Sequence, residues 1–223
     1  VTSRHPFPAI EAFSARLSAW GINEKVQVVV YDDQDGGFAV RLWRMLGWLG
    51  HRAVALLDGG LNKWIELGYP IQTGSVAVPG RVFVPNIRPE LIVDSQTAVR
   101  LHNQPELIFL DTRSSRSYTG AKDPTSPACG HIPGAKHFQY TDNLGKDGLL
   151  LPKDKLLSRY YQILNGCPAE SVIAYCTSGV TASLNILAMQ YLGLGEARLY
   201  AGSWDEWISD PDRPVEKSLP PTI

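Results

Sequence analysis

Residues 172–181, VIAYCTSGVT, place a cysteine where a strand ends and a helix begins. The apolar run at 172–175 predicts a buried strand, and the apolar residues spaced through 182–192 predict a helix. A loop between two such elements turns successive backbone N–H groups inward, and the helix N-terminus adds partial positive charge. Because that environment favours a thiolate, which is the reactive form of cysteine, we predict that Cys176 is a nucleophile.

The residues after Cys176 are expected to form a cradle for an anion. A free cysteine at a strand end is more commonly a small buried side chain. A glycine and several hydroxyl residues suit an anion cradle better than a core, so the nucleophile is the favoured interpretation. The backbone N–H groups that we expect to line the cradle belong to Thr177, Ser178, Gly179, Val180 and Thr181.

Composition limits the classes of protein that fit this chain. It has 223 residues, 44% of them hydrophobic, and a net charge of −1, which suits one large core or two small ones. No run of 18 apolar residues and no strongly basic stretch occurs, so we expect neither a membrane span nor a nucleic-acid partner. The three cysteines lack the spacing of metal ligands and favour a reducing compartment; we predict a cytoplasmic protein without a metal or cofactor.

An internal repeat relates the two halves of the sequence. Tyr31 matches Tyr175, Gly59 matches Gly202 and Trp64 matches Trp207, at offsets of 143 or 144 positions. The alternation of strands and helices in each half predicts an α/β fold with a parallel sheet flanked by helices. The paired elements are strands at 26–31 and 172–175, helices at 38–49 and 182–192, strands at 53–57 and 197–200, and short helices at 61–67 and 204–208.

The repeat also suggests where domains begin and end. The proline-containing stretch 72–89 has little helical period and predicts a linker, so we divide the chain into domains at 1–84 and 85–223. The second half has a further strand at 107–110 and a helix at 94–102 with Asp94 as its N-cap. The counterpart of residue 107 would precede residue 1. We therefore expect a first domain that is incomplete at its N-terminus, with the rest removed, present as a separate chain, or natively absent.

Five segments of the sequence occur together in one known family. They are the loop at 176–181, GHIPGA at 130–135, DTR at 111–113, YAGSWDEW at 200–207 and LDGG at 57–60. Jointly they resemble the two-domain rhodanese-type sulfurtransferases, which include thiosulfate sulfurtransferase and 3-mercaptopyruvate sulfurtransferase. The resemblance covers essentially the whole chain. It implies tandem rhodanese-like domains, the first of them incomplete and non-catalytic.

The resemblance also implies a reaction. Cys176 would take a sulfane sulfur from a small donor, become a persulfide, and pass the sulfur to cyanide, a thiol or a sulfur-carrier protein. No metal or organic cofactor is implied, because inward N–H groups can hold the anionic persulfide. In the first half Asp32 stands at the position of Cys176, and a carboxylate cannot form a persulfide.

The resemblance suggests a donor and residues that would bind it. Thr177 and Ser178 are uncharged, a feature of the enzymes that favour 3-mercaptopyruvate over thiosulfate, and Ser178 matches a proton-handling position. Arg116 lies one residue before the position of a carboxylate-binding arginine, and we predict that it is the donor clamp. Lys122 is the only cation near the second such position and is better explained as a surface charge. Phe38 matches first-domain aromatic residues that face the catalytic loop.

Other motif residues are expected to be structural. Asp111 and Arg113 would form a buried ion pair behind the loop, and His131 would be a hydrogen-bonded residue of a tight turn. Trp204 and Trp207 would belong to the core or to a domain interface.

Three alternative functions fit the sequence less well. A phosphatase of the Cdc25 type also uses a loop cysteine, but its loop is one residue longer and ends in a phosphate-binding arginine, where this chain has Ala182. The second alternative is a non-catalytic sulfur-relay or interaction module, which would form a persulfide without turnover. A metal-binding or disulfide-exchange role is weaker, because the loop has no second cysteine or histidine.

Overall fold

The computed structural model describes residues 3–121 and 129–217, and these fold into two compact units. The N-terminal unit is Phe7–Pro89, and the C-terminal unit comprises residues 3–6 together with residues 90–217. The segment 3–6 thus belongs to the unit formed by the other end of the chain. The extent of the two domains, 1–84 and 85–223, stays a prediction.

The N-terminal unit contains two parallel strands and three helices among its described residues. The strands pair in register from Val28 with Val54 to Val30 with Leu56, as the repeat predicted. Between Gly68 and Arg88 the chain has no helix or strand; the interpretation of residues 72–89 as a linker between domains stays a prediction. The elements are α1 (Ile10–Ala19), β1 (Val28–Val30), α2 (Ala39–Trp48), β2 (Val54–Leu56) and α3 (Gly60–Glu66).

The C-terminal unit is organised around a parallel sheet of five strands. The strands are β3 (Ile92–Val93), β4 (Ile108–Asp111), β5 (Lys136–His137), β6 (Val172–Tyr175) and β7 (Arg198–Tyr200). Their order across the sheet is β3-β7-β6-β4-β5, and every neighbouring pair is parallel. All residues of β4 and β6 are buried, as expected for the centre of a parallel sheet covered by helices.

The helices of the C-terminal unit bear out the predicted strand and helix order around the cysteine. The predicted strand 172–175 is β6, and the predicted helix after it runs from Ala182 to Tyr191. The Asp94 carboxylate caps the predicted helix by accepting the N–H of Thr97 at 2.8 Å. The helices are α4 (Ser95–Leu101), α5 (Ser115–Thr119), α6 (Lys153–Leu164), α7 (Ala182–Tyr191) and α8 (Ser203–Trp207).

The core of the C-terminal unit contains the aromatic residues of its last motif. Trp204 and Trp207 on α8 are fully buried and pack in one cluster with Tyr175 and Tyr200 from β6 and β7. Of the two predicted places, the core or a domain interface, the structure shows the core for both tryptophans. Among the described residues, no helix combines the length and the hydrophobicity needed to cross a membrane.

Candidate active site

Cys176 lies directly after the central strand β6, and its sulfur sits against the loop that follows. The N–H of Val180 donates to Cys176 Sγ at 3.2 Å. Gly179 has a φ of +76°, a conformation that costs glycine little and lets the chain turn back toward the sulfur. Only 3% of the Cys176 surface is exposed. The sulfur is therefore enclosed by its own loop, with a backbone donor aimed at it.

Hydrogen bonds hold the peptide planes on both sides of Cys176. On the N-terminal side, the Tyr175 carbonyl accepts from the N–H and the hydroxyl of Thr112, at 2.9 and 3.0 Å. The Cys176 N–H donates to Ser203 Oγ at 3.2 Å. On the C-terminal side, the Cys176 carbonyl accepts from the N–H of Trp204 at 3.0 Å. Because a peptide plane leaves only φ and ψ free, these bonds fix the direction of the Cys176 side chain.

Ser203 contributes to this arrangement from a strained backbone conformation. Its φ of +55° lies in the left-handed region, which costs a residue other than glycine roughly 1–2 kcal/mol. The fully buried hydroxyl donates to the Tyr200 carbonyl at 2.9 Å while it accepts the Cys176 N–H. A glycine would remove the strain but would leave that buried N–H without this acceptor.

The next two carbonyls of the loop are also held from outside it. The Thr177 carbonyl accepts the N–H of Asp205 at 2.9 Å, and the Ser178 carbonyl accepts the Ser3 hydroxyl at 3.3 Å. In a trans peptide the C=O and the following N–H point in opposite directions. The carbonyls of residues 176–178 point toward the donors that hold them. The N–H groups of residues 177–179 therefore point away from those donors. This is the geometry that an anion cradle requires.

The Asp111–Arg113 pair is buried beside the loop, as the sequence predicted. Arg113 Nη2 lies 2.6 Å from Asp111 Oδ2 and donates to the Gly130 carbonyl at 2.6 Å. Its guanidinium stacks over the Trp204 ring at 4.3 Å. Burial alone would lower the pKa of Arg113, but the Asp111 carboxylate holds it above its ordinary value. The pair is a buried, charged support for β4 and α8, in which Nε and Nη2 of Arg113 are hydrogen-bonded and Nη1 is buried without a hydrogen-bond partner.

The other predicted site residues lie in different surroundings. Ser178 is buried within the loop, and Arg116 is exposed on the short helix α5. Phe38 belongs to the N-terminal unit, precedes α2 and is 58% exposed. The substrate-binding roles of these three residues stay predictions. Lys122 lies outside the described residues.

His131 has the structural environment that the sequence predicted. It is buried, its Nδ1 lies 2.8 Å from the Tyr118 carbonyl oxygen, and its ring stacks on the Tyr118 ring at 3.8 Å. These contacts attach His131 to Tyr118 of α5.

Three residues of the site were not assigned a role from the sequence. Ser203 could have been found, because the repeat aligns it with Gly60, a glycine with a φ of +59°. Thr112 stands within the predicted strand-end motif. Ser3 lies 175 positions from its partner Ser178, and no sequence pattern links the two.

The loop of the N-terminal unit that corresponds to the Cys176 loop surrounds a carboxylate. Asp32 Oδ1 accepts the N–H groups of Gln34 and Gly36, at 3.0 and 2.9 Å. Asp32 Oδ2 accepts those of Phe38 and Ala39, at 3.0 and 2.9 Å. Burial opposes ionisation, but these four donors outweigh it and hold the pKa of Asp32 below its ordinary value. The loop is thus an anion cradle whose anion belongs to the chain.

Comparison with known proteins agrees with this geometry. The sequence model of the rhodanese-like domain family matches residues 2–67 and 94–210 of this chain. A Pseudomonas aeruginosa protein named "Probable 3-mercaptopyruvate sulfurtransferase" is 44% identical over 216 residues, which cover 96% of this chain and 76% of that protein. An Arabidopsis thaliana protein, "Thiosulfate/3-mercaptopyruvate sulfurtransferase 1, mitochondrial", is 31% identical over 95% of this chain and 62% of its own length.

Among solved structures, the crystal structure of YnjE superposes with a TM-score of 0.85 at 26% sequence identity. The superposition covers 97% of this chain but 56% of the YnjE chain. The chain thus spans little more than half of that structure and about three fifths to three quarters of the two curated relatives.

Proposed function

The chain belongs to the rhodanese-like family, and we propose that it is a sulfurtransferase in which Cys176 carries the sulfur as a persulfide. The observation that carries the proposal is the position of Cys176 Sγ at the end of β6, inside a loop whose Val180 N–H points at it from 3.2 Å. Relatives named as sulfurtransferases support the same reaction class. No comparison favours the relay module.

In the first half-reaction the Cys176 thiolate attacks the sulfur of the donor. With 3-mercaptopyruvate, the C–S bond breaks, its electron pair goes to carbon 3, and the proton of the donor thiol ends on that carbon, which gives pyruvate. With thiosulfate, the S–S bond breaks and its electron pair leaves with sulfite. In both cases a new S–S bond forms at Cys176, and the terminal sulfur carries a negative charge.

In the second half-reaction a nucleophile takes the terminal sulfur. Cyanide attacks that sulfur, the Cys176 S–S bond breaks, and its electron pair returns to the cysteine thiolate, so thiocyanate leaves. A thiol or a sulfur-carrier protein can take the place of cyanide. The N–H groups of residues 177–181 would stabilise the anionic sulfur at each stage without a cofactor.

We favour 3-mercaptopyruvate over thiosulfate as the donor. The uncharged Thr177 and Ser178 support this preference, as does the printed name of the Pseudomonas relative. Arg116 would hold the donor carboxylate, Ser178 would take part in donor binding, and Phe38 would wall the donor pocket. Cys129, Cys167 and Cys176 are all free thiols, which supports a reducing compartment such as the cytoplasm.

The test is sulfur transfer to cyanide from the two donors in parallel, with the unaltered chain and its Cys176→Ser variant. We expect turnover by the unaltered chain, a higher kcat/KM with 3-mercaptopyruvate, and no turnover by the variant. A thermal unfolding midpoint close to that of the unaltered chain would show that the variant is folded. Sulfur transfer by a folded Cys176→Ser protein would reject the proposed nucleophile.

A further inference from the structure

The segment at residues 3–6 reaches the candidate loop from the opposite end of the sequence. Ser3 is 8% exposed, and its hydroxyl donates to the Ser178 carbonyl at 3.3 Å. The same oxygen accepts the N–H of His5 at 3.3 Å, so its donor and acceptor roles are both used. Arg4 Nε donates to Asp205 Oδ2 at 2.6 Å. We call Ser3 and Arg4 the strap.

The bond from Ser3 acts on the most easily inverted peptide plane of the loop. That plane joins Ser178 to Gly179, and Gly179 has a φ of +76°. Because glycine adopts positive and negative φ with similar ease, the plane can turn over with little strain. Inversion would bring the Ser178 carbonyl, a partial negative charge, to the side where the Gly179 N–H now points. An anion on that side would then be repelled.

The bond from Arg4 acts on the neighbouring peptide plane, which joins Thr177 to Ser178, and it acts through Asp205. The N–H of Asp205 holds the Thr177 carbonyl at 2.9 Å, and the carboxylate of the same residue is 11% exposed and paired with Arg4. The Arg4 side chain is 58% exposed, and exposed ion pairs contribute little. Arg4 should therefore matter less than Ser3.

We propose that Ser3 is a positioning residue that keeps the loop in its anion-binding form by holding the Ser178 carbonyl outward. Arg4 assists by anchoring Asp205. The inference rests on the proposed function only in taking the loop as the anion site. The Ser3 hydroxyl bonds to the loop backbone, so its effect is carried by the orientation of the Gly179 N–H.

The experiment measures anion binding separately from turnover. Iodoacetamide alkylation of Cys176 is followed by peptide mass spectrometry, with increasing sulfate as the competing anion. For Ser3→Ala we expect the protective sulfate concentration to rise about threefold to tenfold, the effect of one lost hydrogen bond. We expect kcat/KM for sulfur transfer to fall by a similar factor, and Ser3→Thr, which keeps the hydroxyl, to retain both values.

Two further variants make the result specific. Ser158→Ala removes an exposed hydroxyl on α6 and should leave protection and turnover unchanged. Arg4→Gln keeps the Ser3 hydroxyl and should change protection by less than about threefold. Protection of Ser3→Ala equal to that of the unaltered chain would overturn the proposal, and so would an Arg4→Gln effect as large as that of Ser3→Ala.

The sulfate measurement also separates this proposal from the proposed function. If the unaltered chain does not transfer sulfur but Ser3→Ala weakens sulfate protection, the strap stands and the assigned reaction fails. If the chain transfers sulfur and Ser3→Ala protects normally, the reaction stands and the strap fails.

Discussion

The loop after β1 and the loop after β6 differ in the side chain that accepts their backbone N–H groups. Asp32 brings its own anion, which accepts four backbone N–H groups. The sulfur of Cys176 accepts the N–H of Val180, and in the proposed reaction the anionic outer sulfur of the persulfide would form on it. A built-in carboxylate makes the first loop a permanent structural element. A cysteine at the same position supplies no fixed carboxylate, so the anion in the second loop would be the reacting sulfur.

The backbone around the two loops is otherwise closely matched. Gly60 and Ser203 have φ values of +59° and +55°. The next residue in each case donates its N–H to the carbonyl of the loop residue, Leu61 to Asp32 at 2.9 Å and Trp204 to Cys176 at 3.0 Å. The chemical difference therefore lies in a few side chains on a shared frame. Substitutions that exchange those side chains can break the comparison or sharpen it.

The largest effect is expected for Cys176→Asp, which gives the second loop the residue of the first. Sulfur transfer should be abolished, because a carboxylate cannot form a persulfide. The carboxylate should also accept loop N–H groups, as Asp32 does, so the thermal unfolding midpoint should exceed that of Cys176→Ser. A Cys176→Asp protein less stable than Cys176→Ser would mean that the second loop does not accommodate a fixed anion.

Removal of the anion from the first loop should cost stability. Hydrogen bonds to charged groups contribute about 1.5–3 kcal/mol when buried, but Asp32 is only partly buried, so we expect Asp32→Ala to lose about 2 kcal/mol in all. Denaturant unfolding measures this, with Asp33→Ala as the matched control because Asp33 is the exposed neighbour. Equal stability of the two variants would show that the four N–H groups do not depend on the carboxylate.

The stabilisation by Asp32 should also depend on pH. The pKa of Asp32 is lowered in the folded chain, so the stabilisation is complete above the unfolded value of about 4 and is lost as the pH falls through the lower folded value. We expect unfolding free energy to fall less steeply between about pH 5 and 2 in Asp32→Asn than in the unaltered chain. Parallel curves for the two proteins would contradict the assignment of this titration to Asp32.

The smallest effect on stability is expected at Ser203 and Gly60, which have a left-handed backbone conformation. Ser203→Ala loses the hydroxyl and keeps the strain, whereas Ser203→Gly loses both, so the glycine variant should be more stable by about 1 kcal/mol. Both variants should transfer sulfur more slowly than the unaltered chain because the Cys176 N–H loses its acceptor. A Cβ at Gly60 would lie 2.5 Å from the Asp32 carbonyl oxygen, so Gly60→Ala should destabilise the chain. Calorimetry of the three variants checks the order.

The sequence was informative where local pattern and structure coincide. The apolar run at 172–175, the Asp94 cap and the repeated strand and helix order all predicted elements that the structure contains. Short strands such as β3 and β5 have two residues each, too few for a period to be visible. The helix α6 was not predicted, although its buried residues Leu156, Tyr160, Ile163 and Leu164 have the spacing of an amphipathic helix.

The candidate site was predictable only in part, for a physical reason. Cys176 and its loop form one continuous segment, and the Asp111–Arg113 pair lies within three residues, so local spacing was enough to find them. The side chains that orient Cys176 come from other elements, through bonds from Ser203, Thr112 and Ser3. Such bonds depend on how the elements are placed in the sheet, which a single sequence does not reveal.

The separation of Ser3 and Ser178 by 175 positions has a consequence for the order in which the molecule forms. Synthesis adds Ser3 175 positions before Ser178, so the acceptor does not yet exist when Ser3 is made. Bringing two such distant points together also carries a loop-closure entropy that local contacts do not. The Ser3–Ser178 bond should thus be among the last to form on the folding pathway. A nascent or partly folded chain would display its cysteine without a finished anion site, and reactivity toward donors would mark the completed molecule.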